Sequence, residues 1–576
     1  MSTKNFQSAA STRSIFSTSR AHLLLLPVLL ALFSIAFLRT AWVAEDAFIT
    51  FRTIDNALHG LGLTWNPGDR VQTYTHPLWL CLLLPIIGLF NDPFYVSLIT
   101  SYLLLLTTLI ILFRTINERS ISGLMVIASL LWSRSFIDYS SSGLENPLTH
   151  ALLAGYVFVW TRDPDFRYRP FLLSGIISAL FLTRPDAIVL VTPSFIFYLW
   201  SMRRRIKQHF LMVLVGTLPA ILWIAFSLFY YGTPVPNTAL AKVQTGNSFL
   251  HNLIQAYYYH EWALQNDPGT LLLVIAGIIL GISGSARLRP IAFGLLLWEA
   301  YLSYVGADYM GGRFFSGAVL VATALIAIYV KKQPNQRIVW GIALTLIFTS
   351  GILKWTLFSS THYEQSAFSA GGIADERGFY YRALGLIPSI RRGTWESHIW
   401  LQEGKFLRAY TGWYTRCNIG MAGYMAGPNV KWVDPLGLAD PLLARLPSRR
   451  NARVGHYERA FPAGYLQSLV VNKNLVRDPK IAALEADVGK AVRAPLFSAG
   501  RLSAIWRLNT GYHSRAADNF NREAIGLPGI PVKTFSKISC YGLPPAEEAT
   551  WQLAGSPVTA MRVTFPDFLS GAAPTK

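Results

Sequence analysis

The sequence predicts a polytopic α-helical membrane protein that ends in a soluble domain of α/β or β-rich type. Only 14% of its 576 residues are charged and 52% are hydrophobic, whereas soluble domains carry roughly a quarter charged residues. Apolar runs recur as far as about residue 357, and basic residues flank them. From about residue 360 the Gly, Pro, Arg and Asp content rises and no further spanning run appears. These observations divide the chain into a membrane part and a soluble part.

The formal charge of +20 could indicate a nucleic-acid partner, but the position of the basic residues argues against one. They lie at the ends of apolar runs, as the positive-inside rule describes for membrane proteins, so the expected partner is the lipid bilayer. Lys4, Arg13 and Arg20 precede the first run, His22–Leu38, and no small-residue cleavage site follows it. We therefore expect an uncleaved first span after a cytoplasmic tail of residues 1–21.

Eleven apolar runs are candidate spans, and several are shorter than the roughly 20 residues that a straight span needs. A twelfth candidate is Pro77–Phe90, and the charge pattern decides against its crossing: if it crossed, the Arg203–Lys207 cluster would face outward. We expect Pro77–Phe90 to lie along the outer interface instead. Residues 22–358 then form the membrane domain and 359–576 an extracytoplasmic domain. The eleven runs lie near 22–41, 94–113, 120–136, 148–161, 170–183, 187–201, 209–231, 270–286, 291–305, 314–330 and 338–357.

The last domain is long enough to bury a core of its own. Four short pieces rich in β-prone residues predict strands there, at Val430–Val433, Ser468–Val471, Leu502–Leu508 and Met561–Phe565. The three cysteines are too few for a disulfide scaffold and have no zinc-site spacing. Cys417 and Cys540 could pair if this domain lies in an oxidising compartment.

Two adjacent carboxylates, Glu45 and Asp46, follow the first span directly. Such groups are expensive to desolvate at a membrane boundary, so they favour a wet, functional cavity, although two solvated loop acids are the plain alternative. The same outer loop also contains Tyr74 and His76.

Four later outer loops also carry chemically useful residues. Glu145 could be no more than an acid at a helix N-terminus, and Arg184 with Asp186 could be a structural ion pair. Lys242 and Arg313 are the best phosphate ligands because cations are otherwise scarce on this side, yet either could extend to lipid headgroups instead. Together the five loops predict one polar cavity covered by the last domain. A carboxylate, phosphate-binding cations and aromatic rings are what sugar transfer from a lipid phosphate requires.

Eight segments resemble the membrane glycosyltransferases of the GT-C fold, and among them most closely the mycobacterial terminal β-(1→2)-arabinofuranosyltransferases. They occur in both the membrane part and the soluble part, and together they are fairly specific. The segments are Glu45–Arg52, Gly60–Arg70, Tyr74–Trp79, Ser142–Pro147, Gly306–Phe314, Gly420–Pro428, Val433–Arg445 and Arg453–Arg459.

The resemblance implies a GT-C domain in the bacterial inner membrane, a periplasmic C-terminal domain that holds acceptor glycan, and a polyprenyl-phosphate sugar donor. It implies transfer of a single sugar, with D-arabinofuranose as the first candidate, to a periplasmic glycan, lipopolysaccharide or pilin. In that family an acidic pair in the first loop, usually two aspartates, contributes the catalytic carboxylate. Here Glu45 takes the first place. We therefore assign the catalytic role to Asp46 and keep Glu45 in reserve.

The remaining site residues follow from the loops and the resemblance together. The sequence shows no clear set of metal ligands, and we expect neither a metal nor another cofactor. Donor phosphate contacts are assigned to Lys242, Arg313 and His76. Contacts to sugar, or to the groups that position it, are assigned to Asp308, Glu145, Asp186, Arg184, Asn237, Tyr74 and Tyr309.

Three other functions compete with this interpretation. An O-antigen ligase or polymerase usually has a large loop between late spans, whereas this chain ends in a soluble domain. A transporter or flippase of lipid-linked sugars predicts inverted repeats and ionisable residues at mid-membrane. A simple membrane anchor for a periplasmic binding domain would leave five polar outer loops without a role.

Overall fold

The computed structural model describes residues 18–116, 121–162, 166–243, 247–332, 341, 369–409, 411–448, 454–517, 520, 551–553 and 556–558. Three predictions fall outside them: the span at 338–357 apart from residue 341, the strand at Met561–Phe565, and a bond between Cys417 and Cys540. These stay predictions.

Each of the first ten predicted spans falls on helical residues. The span at 120–136 is divided into three short helical pieces, and the span at 187–201 into two. The helices of this part are Thr18–Thr40, Pro93–Ile116, Ile121–Ala128, Arg134–Asp138, Asn146–Thr161, Arg169–Thr183, Thr192–Ser201, Ile206–Tyr230, Pro268–Ser283, Arg289–Val305 and Phe315–Lys332, with 3₁₀ turns at Ser129–Trp132, Pro185–Leu190 and Arg203–Arg205.

Two of the described helices are long and apolar enough to cross a bilayer unaided, Pro93–Ile116 and Lys207–Tyr230. A third crossing is possible if Phe249–Asn266 and Pro268–Ser283, which meet at a bend of 111°, form one broken span. The other apolar helices are shorter than a straight crossing needs. These helices agree with the predicted membrane protein by length and composition, while the number of eleven spans stays a prediction.

Four helices of this part lie outside the predicted spans. Pro77–Phe90 is a 14-residue helix that ends where Asn91 adopts the left-handed conformation, with φ 53°. Two helices were not predicted from the sequence, Ala47–Leu58, which follows the acidic pair, and Phe249–Asn266. Both are amphipathic, with polar side chains that interrupt the apolar run on which the span predictions depended. Asn237–Val243 adds a single short helix.

The C-terminal domain is mainly helical in its described residues. Its helices are Glu376–Leu384, Leu386–Arg392, Ile399–Leu407, Ile419–Ala426, Tyr465–Val471, Pro479–Val492 and Arg501–Asn509, with 3₁₀ turns at Ala370–Gly372, Leu443–Arg445 and Ser514–Ala517. The strands Gly412–Thr415 and Val430–Val433 pair in parallel, and Trp551–Leu553 pairs with Ser556–Val558 antiparallel. The predicted strand Val430–Val433 is correct.

The predicted strands Ser468–Val471 and Leu502–Leu508 are wrong, because both segments are helical. A glycine with positive φ precedes each helix, Gly464 at 87° and Gly500 at 77°. In the second helix the buried residues Arg501, Ala504 and Ile505 repeat with the helical period, not with the period of two that a strand needs. The β-rich alternative is therefore wrong for the described part of this domain.

Arg52, in the Ala47–Leu58 helix, joins the first outer loop to the C-terminal domain. Its side chain is buried and stacks on Trp65, with 4.3 Å between the guanidinium carbon and the ring centroid. The guanidinium donates hydrogen bonds to the carbonyls of Trp65 (2.9 Å), Val430 (2.8 Å) and Gly423. Two of these three carbonyls belong to the C-terminal domain, so one side chain fixes that domain on the loop that carries Glu45 and Asp46.

Arg52→Met is expected to lower the free energy of unfolding by about 3 kcal/mol or more. The reason is that it leaves the carbonyls of Val430 and Gly423 without their donor, whereas that of Trp65 keeps the Asn56 amide. Each buried unsatisfied group costs roughly 1–3 kcal/mol. Unfolding in detergent, followed by heat or denaturant, measures this change. Arg391→Met, at an exposed position of the C-terminal domain, is the control. Equal losses in the two variants would contradict the proposed role of Arg52.

Candidate functional site

The two acids of the first outer loop have different surroundings. Glu45 is 5% exposed, and its Oε1 accepts hydrogen bonds from the backbone N–H groups of Gly420 (2.5 Å) and Met421 (3.3 Å). These N–H groups open the Ile419–Ala426 helix, whose N-cap residue Asn418 makes no side-chain cap. Glu45 therefore supplies the acceptor that this helix N-terminus lacks.

Asp46 is only partly buried, and its Oδ2 accepts a hydrogen bond of 3.2 Å from the Tyr309 hydroxyl. Of the adjacent pair, Glu45 is hydrogen-bonded at the domain interface, whereas Asp46 has a carboxylate oxygen that is available to a substrate. The arrangement supports the assignment of the chemical role to Asp46.

Burial, and after it the charge of Asp46, raises the pKa of Glu45 from its ordinary value of 4.5 to about 8, against the opposing effect of the two backbone N–H donors and Arg416. A carboxyl group whose pKa is higher in the folded state binds its proton more tightly when folded. Its contribution to stability is therefore complete below about pH 4.5 and is lost as the pH rises towards 8.

The free energy of unfolding is expected to fall between pH 5 and 8 by up to about 1.4 kcal/mol per pH unit through Glu45. Glu45→Gln removes the titrating group and should flatten this slope. Unfolding temperatures measured across that pH range provide the test. Glu261→Gln, at a partly exposed acid outside the interface, should keep the slope. A slope that survives in Glu45→Gln would show that another group causes it.

Glu145 lies fully buried among three cationic or titratable groups. Its Oε1 is 3.1 Å from a terminal nitrogen of Arg313 and 3.6 Å from one of Arg184, and its Oε2 is 3.1 Å from Nδ1 of His76. Burial alone would raise the pKa of Glu145. The charges of His76, Arg313 and Arg184, with a hydrogen bond from His76, instead hold its pKa well below the ordinary range. Glu145 is therefore an anion at neutral pH that joins its own loop to three others.

The two arginines extend this cluster to two further carboxylates. Arg184 makes a two-pronged contact with Asp186, at 3.1 and 2.6 Å, and its guanidinium lies 4.9 Å from the centroid of the Phe314 ring. Arg313 lies 3.7 Å from Asp308. We refer to His76, Glu145, Arg184, Asp186, Asp308 and Arg313 as the acid–cation cluster. Asp46 lies beside this cluster, because its hydrogen-bond partner Tyr309 directly follows Asp308 in the chain.

Several polar atoms around Glu145 and Arg313 are buried without a hydrogen-bond partner among the described residues. They are the hydroxyls of Ser141 and Ser142, Oδ1 of Asn146 and Nε of Arg313. Buried polar atoms in proteins are nearly always bonded, to protein or to water. A set of unbonded polar atoms beside a charged cluster is suited to bind a polar ligand.

Besides Glu45, Asp46 and Tyr309, three predicted site residues lie outside the cluster. The Tyr74 ring is 6.3 Å from that of His76, and its hydroxyl is bonded to Tyr231 at 2.7 Å. The Asn237 amide donates to carbonyls of the C-terminal domain, including that of Gly437 at 2.8 Å. Lys242 is exposed on its short helix and makes no ion pair with any residue that the structure describes. Tyr74 and Asn237 thus have structural bonds in this arrangement.

Two residues of the site were not assigned from the sequence. His456 packs edge-on against Tyr309, with ring centroids 4.4 Å apart, and a side chain added at its neighbour Gly455 would overlap the Tyr309 ring. Thr50 lies 2.7 Å from Nε2 of His76. His456 belongs to a segment that carries the family resemblance, which was the available signal. The C-terminal domain thus reaches the tyrosine that contacts Asp46.

A second buried charge network lies near the cluster and was also not predicted. Arg134 contacts Asp138 (3.0 Å) and Asp375 (2.6 Å), and Arg377 contacts Asp138 at 2.7 Å. Arg134 lies within the apolar run at 120–136, which was interpreted as one span. Within the described residues no group of three or more His, Cys, Asp or Glu could hold a metal ion, and the expectation of no metal stays a prediction.

Comparison with known proteins links this geometry to one group of enzymes. The family model described as the AftB family C-terminal domain matches residues 393–466. The chain is 23% identical to the terminal β-(1→2)-arabinofuranosyltransferase of Mycobacterium tuberculosis, over 73% of this chain and 81% of the relative. It is 25% identical to the protein of the same name from Corynebacterium glutamicum, over 72% of each chain.

The chain also has a likeness to a solved structure, that of ArnT from Cupriavidus metallidurans bound to undecaprenyl phosphate. The identity is 14%, the likeness covers 74% of this chain and 77% of the other, and the TM-score is 0.40, too low to carry an argument about the site. The sequence relatives confirm the predicted resemblance and the predicted enzyme class, an arabinofuranosyltransferase-like glycosyltransferase.

Proposed function

We propose that this chain transfers a single sugar, with D-arabinofuranose as the first candidate, from a polyprenyl-phosphate donor to an acceptor outside the cytoplasm. The observation that carries the proposal is the setting of Asp46: a partly exposed carboxylate, bonded to Tyr309, beside the acid–cation cluster. The protein would lie in the bacterial inner membrane, with the cluster and the C-terminal domain on the periplasmic side.

Asp46 would act as the general base. It takes the proton from the acceptor hydroxyl as that oxygen forms a bond to the anomeric carbon of the donor sugar. The bond between this carbon and the phosphate oxygen breaks, and its electron pair leaves with the polyprenyl phosphate. The Tyr309 hydroxyl holds the Asp46 carboxylate in position, and His456 packs against the Tyr309 ring.

Arg313 is the first candidate for contact with the donor phosphate. One terminal nitrogen of its guanidinium contacts Glu145, the other lies 3.7 Å from Asp308 and beside the Met310 sulfur, and its Nε has no hydrogen-bond partner among the described residues. An arginine with donors to spare can bind a phosphate oxygen as negative charge develops on it. Arg184 and His76 would support it through their shared contact with Glu145. Lys242 remains a proposed contact to the donor phosphate. Because it lies outside the acid–cation cluster, this contact requires that donor binding brings Lys242 into the site.

The carboxylates of the cluster would have two roles. Glu145 and Asp186 neutralise the arginines, so that these cations can be buried. Asp308, at 3.7 Å from Arg313, has the loosest ion pair of the three carboxylates and is the best candidate for hydrogen bonds to sugar hydroxyls. The acceptor could be a periplasmic glycan, lipopolysaccharide or pilin. The names of the relatives make an arabinan end with a free 2-hydroxyl the first acceptor to test.

Purified protein incubated with a panel of radiolabelled polyprenyl-phosphate sugars and arabinan acceptors tests the proposal. We expect label to move from decaprenyl-phosphoryl-arabinose to the 2-hydroxyl of a terminal arabinose, and none to move from a nucleotide sugar. Transfer of another sugar from the panel would keep the reaction and change the substrate. No transfer from any lipid-linked donor would overturn the proposed function.

A further inference from the structure

Three large apolar side chains lie on the surface of the C-terminal domain. Phe497 is 90% exposed, Leu502 70% and Trp506 71%. They lie on the Arg501–Asn509 helix and in the turn before it. We call these three residues the Trp506 patch. Soluble surfaces rarely group side chains of this size, and such a group marks an interaction site.

The helix that carries the patch has its large apolar side chains on the face that points away from the domain. Leu502 and Trp506 are four residues apart and therefore project from the same face. The opposite face, with Ala504 and Ile505, is buried within the domain. The outward apolar side chains are thus not needed for the core of the domain.

The patch lies next to the end of a helix that is suited to cross a bilayer. Arg501 donates hydrogen bonds to the carbonyls of Phe229 (2.6 Å) and Tyr230 (3.1 Å), and the Phe497 ring lies 5.8 Å from that of Phe229. Phe229 and Tyr230 end the Ile206–Tyr230 helix, whose apolar segment is long enough to cross a bilayer and is only 11% buried within the protein. The patch therefore begins at the level where a membrane-crossing helix leaves the bilayer.

We propose that Phe497, Leu502 and Trp506 insert into the headgroup boundary of the bilayer, so that the C-terminal domain is anchored to the membrane surface at this point. The partner is the lipid of the leaflet in which the Tyr230 end of the crossing helix lies. Tryptophan and other large apolar side chains at an interface are the residues that such insertion requires. Arg501 sets the position of the patch along the bilayer normal, because its hydrogen bonds to the end of the crossing helix hold the patch at the bilayer edge.

Photo-crosslinking in lipid nanodiscs tests the proposal on the full chain. Benzoylphenylalanine is introduced singly at Phe497, Leu502 and Trp506, with Leu222 on the crossing helix as the positive control and Lys473 and Lys480 as exposed controls in the same domain. We expect adducts with labelled phospholipid at the three patch positions at a yield near that of Leu222, and at least about tenfold above that of the lysine positions.

Two results would overturn the insertion. Adducts at the patch with protein, either another segment of this chain or a second copy, would show that protein covers the three residues. Lipid adducts at Lys473 and Lys480 as frequent as at the patch would show that the contact is not specific. Because the exposed patch side chains make no contribution to the core, the substitutions should leave the unfolding temperature unchanged, and this is checked on each variant.

Discussion

Asp46→Asn is expected to lower kcat by about 10³-fold, within the range that a general base contributes. Asparagine keeps the shape of the side chain and can still bond to the Tyr309 hydroxyl, but it cannot take a proton from the acceptor. Because Asp46 is partly exposed and its one described side-chain bond is to Tyr309, the unfolding temperature should hardly change. Initial rates of sugar transfer, with a separate measurement of donor binding, check both expectations.

Asp55→Asn is the matched control for this variant, since Asp55 lies on the helix that begins directly after Asp46 and is exposed beside His59. It removes the same charge from the same loop without reaching the cluster. We expect near-normal turnover in Asp55→Asn. A comparable loss of turnover in both variants would show that the charge of the loop causes the effect, and not a base at position 46.

Glu145→Gln is expected to destabilise the protein by about 3 kcal/mol or more, as removal of one partner from a buried ion pair does. Glutamine cannot offset the charges of Arg184 and Arg313, which then depend on Asp186 and the distant Asp308. Because the pKa of Glu145 lies well below 4.5 in the folded state, its contribution is complete above about pH 4.5 and is lost only as the pH falls below that value. Denaturant unfolding at neutral pH measures the loss.

The control for Glu145 is Glu396→Gln, which breaks the exposed pair with Lys405. Exposed pairs contribute roughly 0–1 kcal/mol, so this variant should be close to wild type. Sugar transfer should fall with Glu145→Gln even under conditions where the variant is folded, because Arg313 loses the group that positions it. Equal stability of the two variants would mean that the cluster is solvated and does not organise the site.

The sequence predicts elements well where the information is local. Apolar runs located the first ten predicted spans on helical residues, and β-branched residues located the strand Val430–Val433. Ser468–Val471 and Leu502–Leu508 have similar composition, yet the left-handed glycines before them start helices. Short apolar runs do not distinguish a strand from a helix, and the buried face that settles the question depends on the rest of the domain.

The candidate site shows the same limit over longer distances. Outer-loop charges identified the members of the acid–cation cluster, because ionisable groups at a membrane boundary are rare. Their pairing could not be predicted, apart from the Arg184–Asp186 pair two residues apart in the chain. The hydrogen bond from Gly420 to Glu45 gives Glu45 a structural role that Asp46 does not share. It joins residues that are 375 positions apart in the chain, and no sequence pattern predicts a contact between residues so far apart.

The roles of the site residues all depend on one proposed reaction, in which the chain moves a sugar from polyprenyl phosphate to an acceptor with Asp46 as base. It is tested most directly in proteoliposomes that contain labelled decaprenyl-phosphoryl-arabinose, by following donor loss, decaprenyl phosphate release and acceptor labelling in one time course. We predict that the three proceed at equal rates in the wild type and stop together in Asp46→Asn. Donor that crosses the bilayer with its sugar still attached, while the acceptor stays unlabelled, would contradict the account and indicate a transporter.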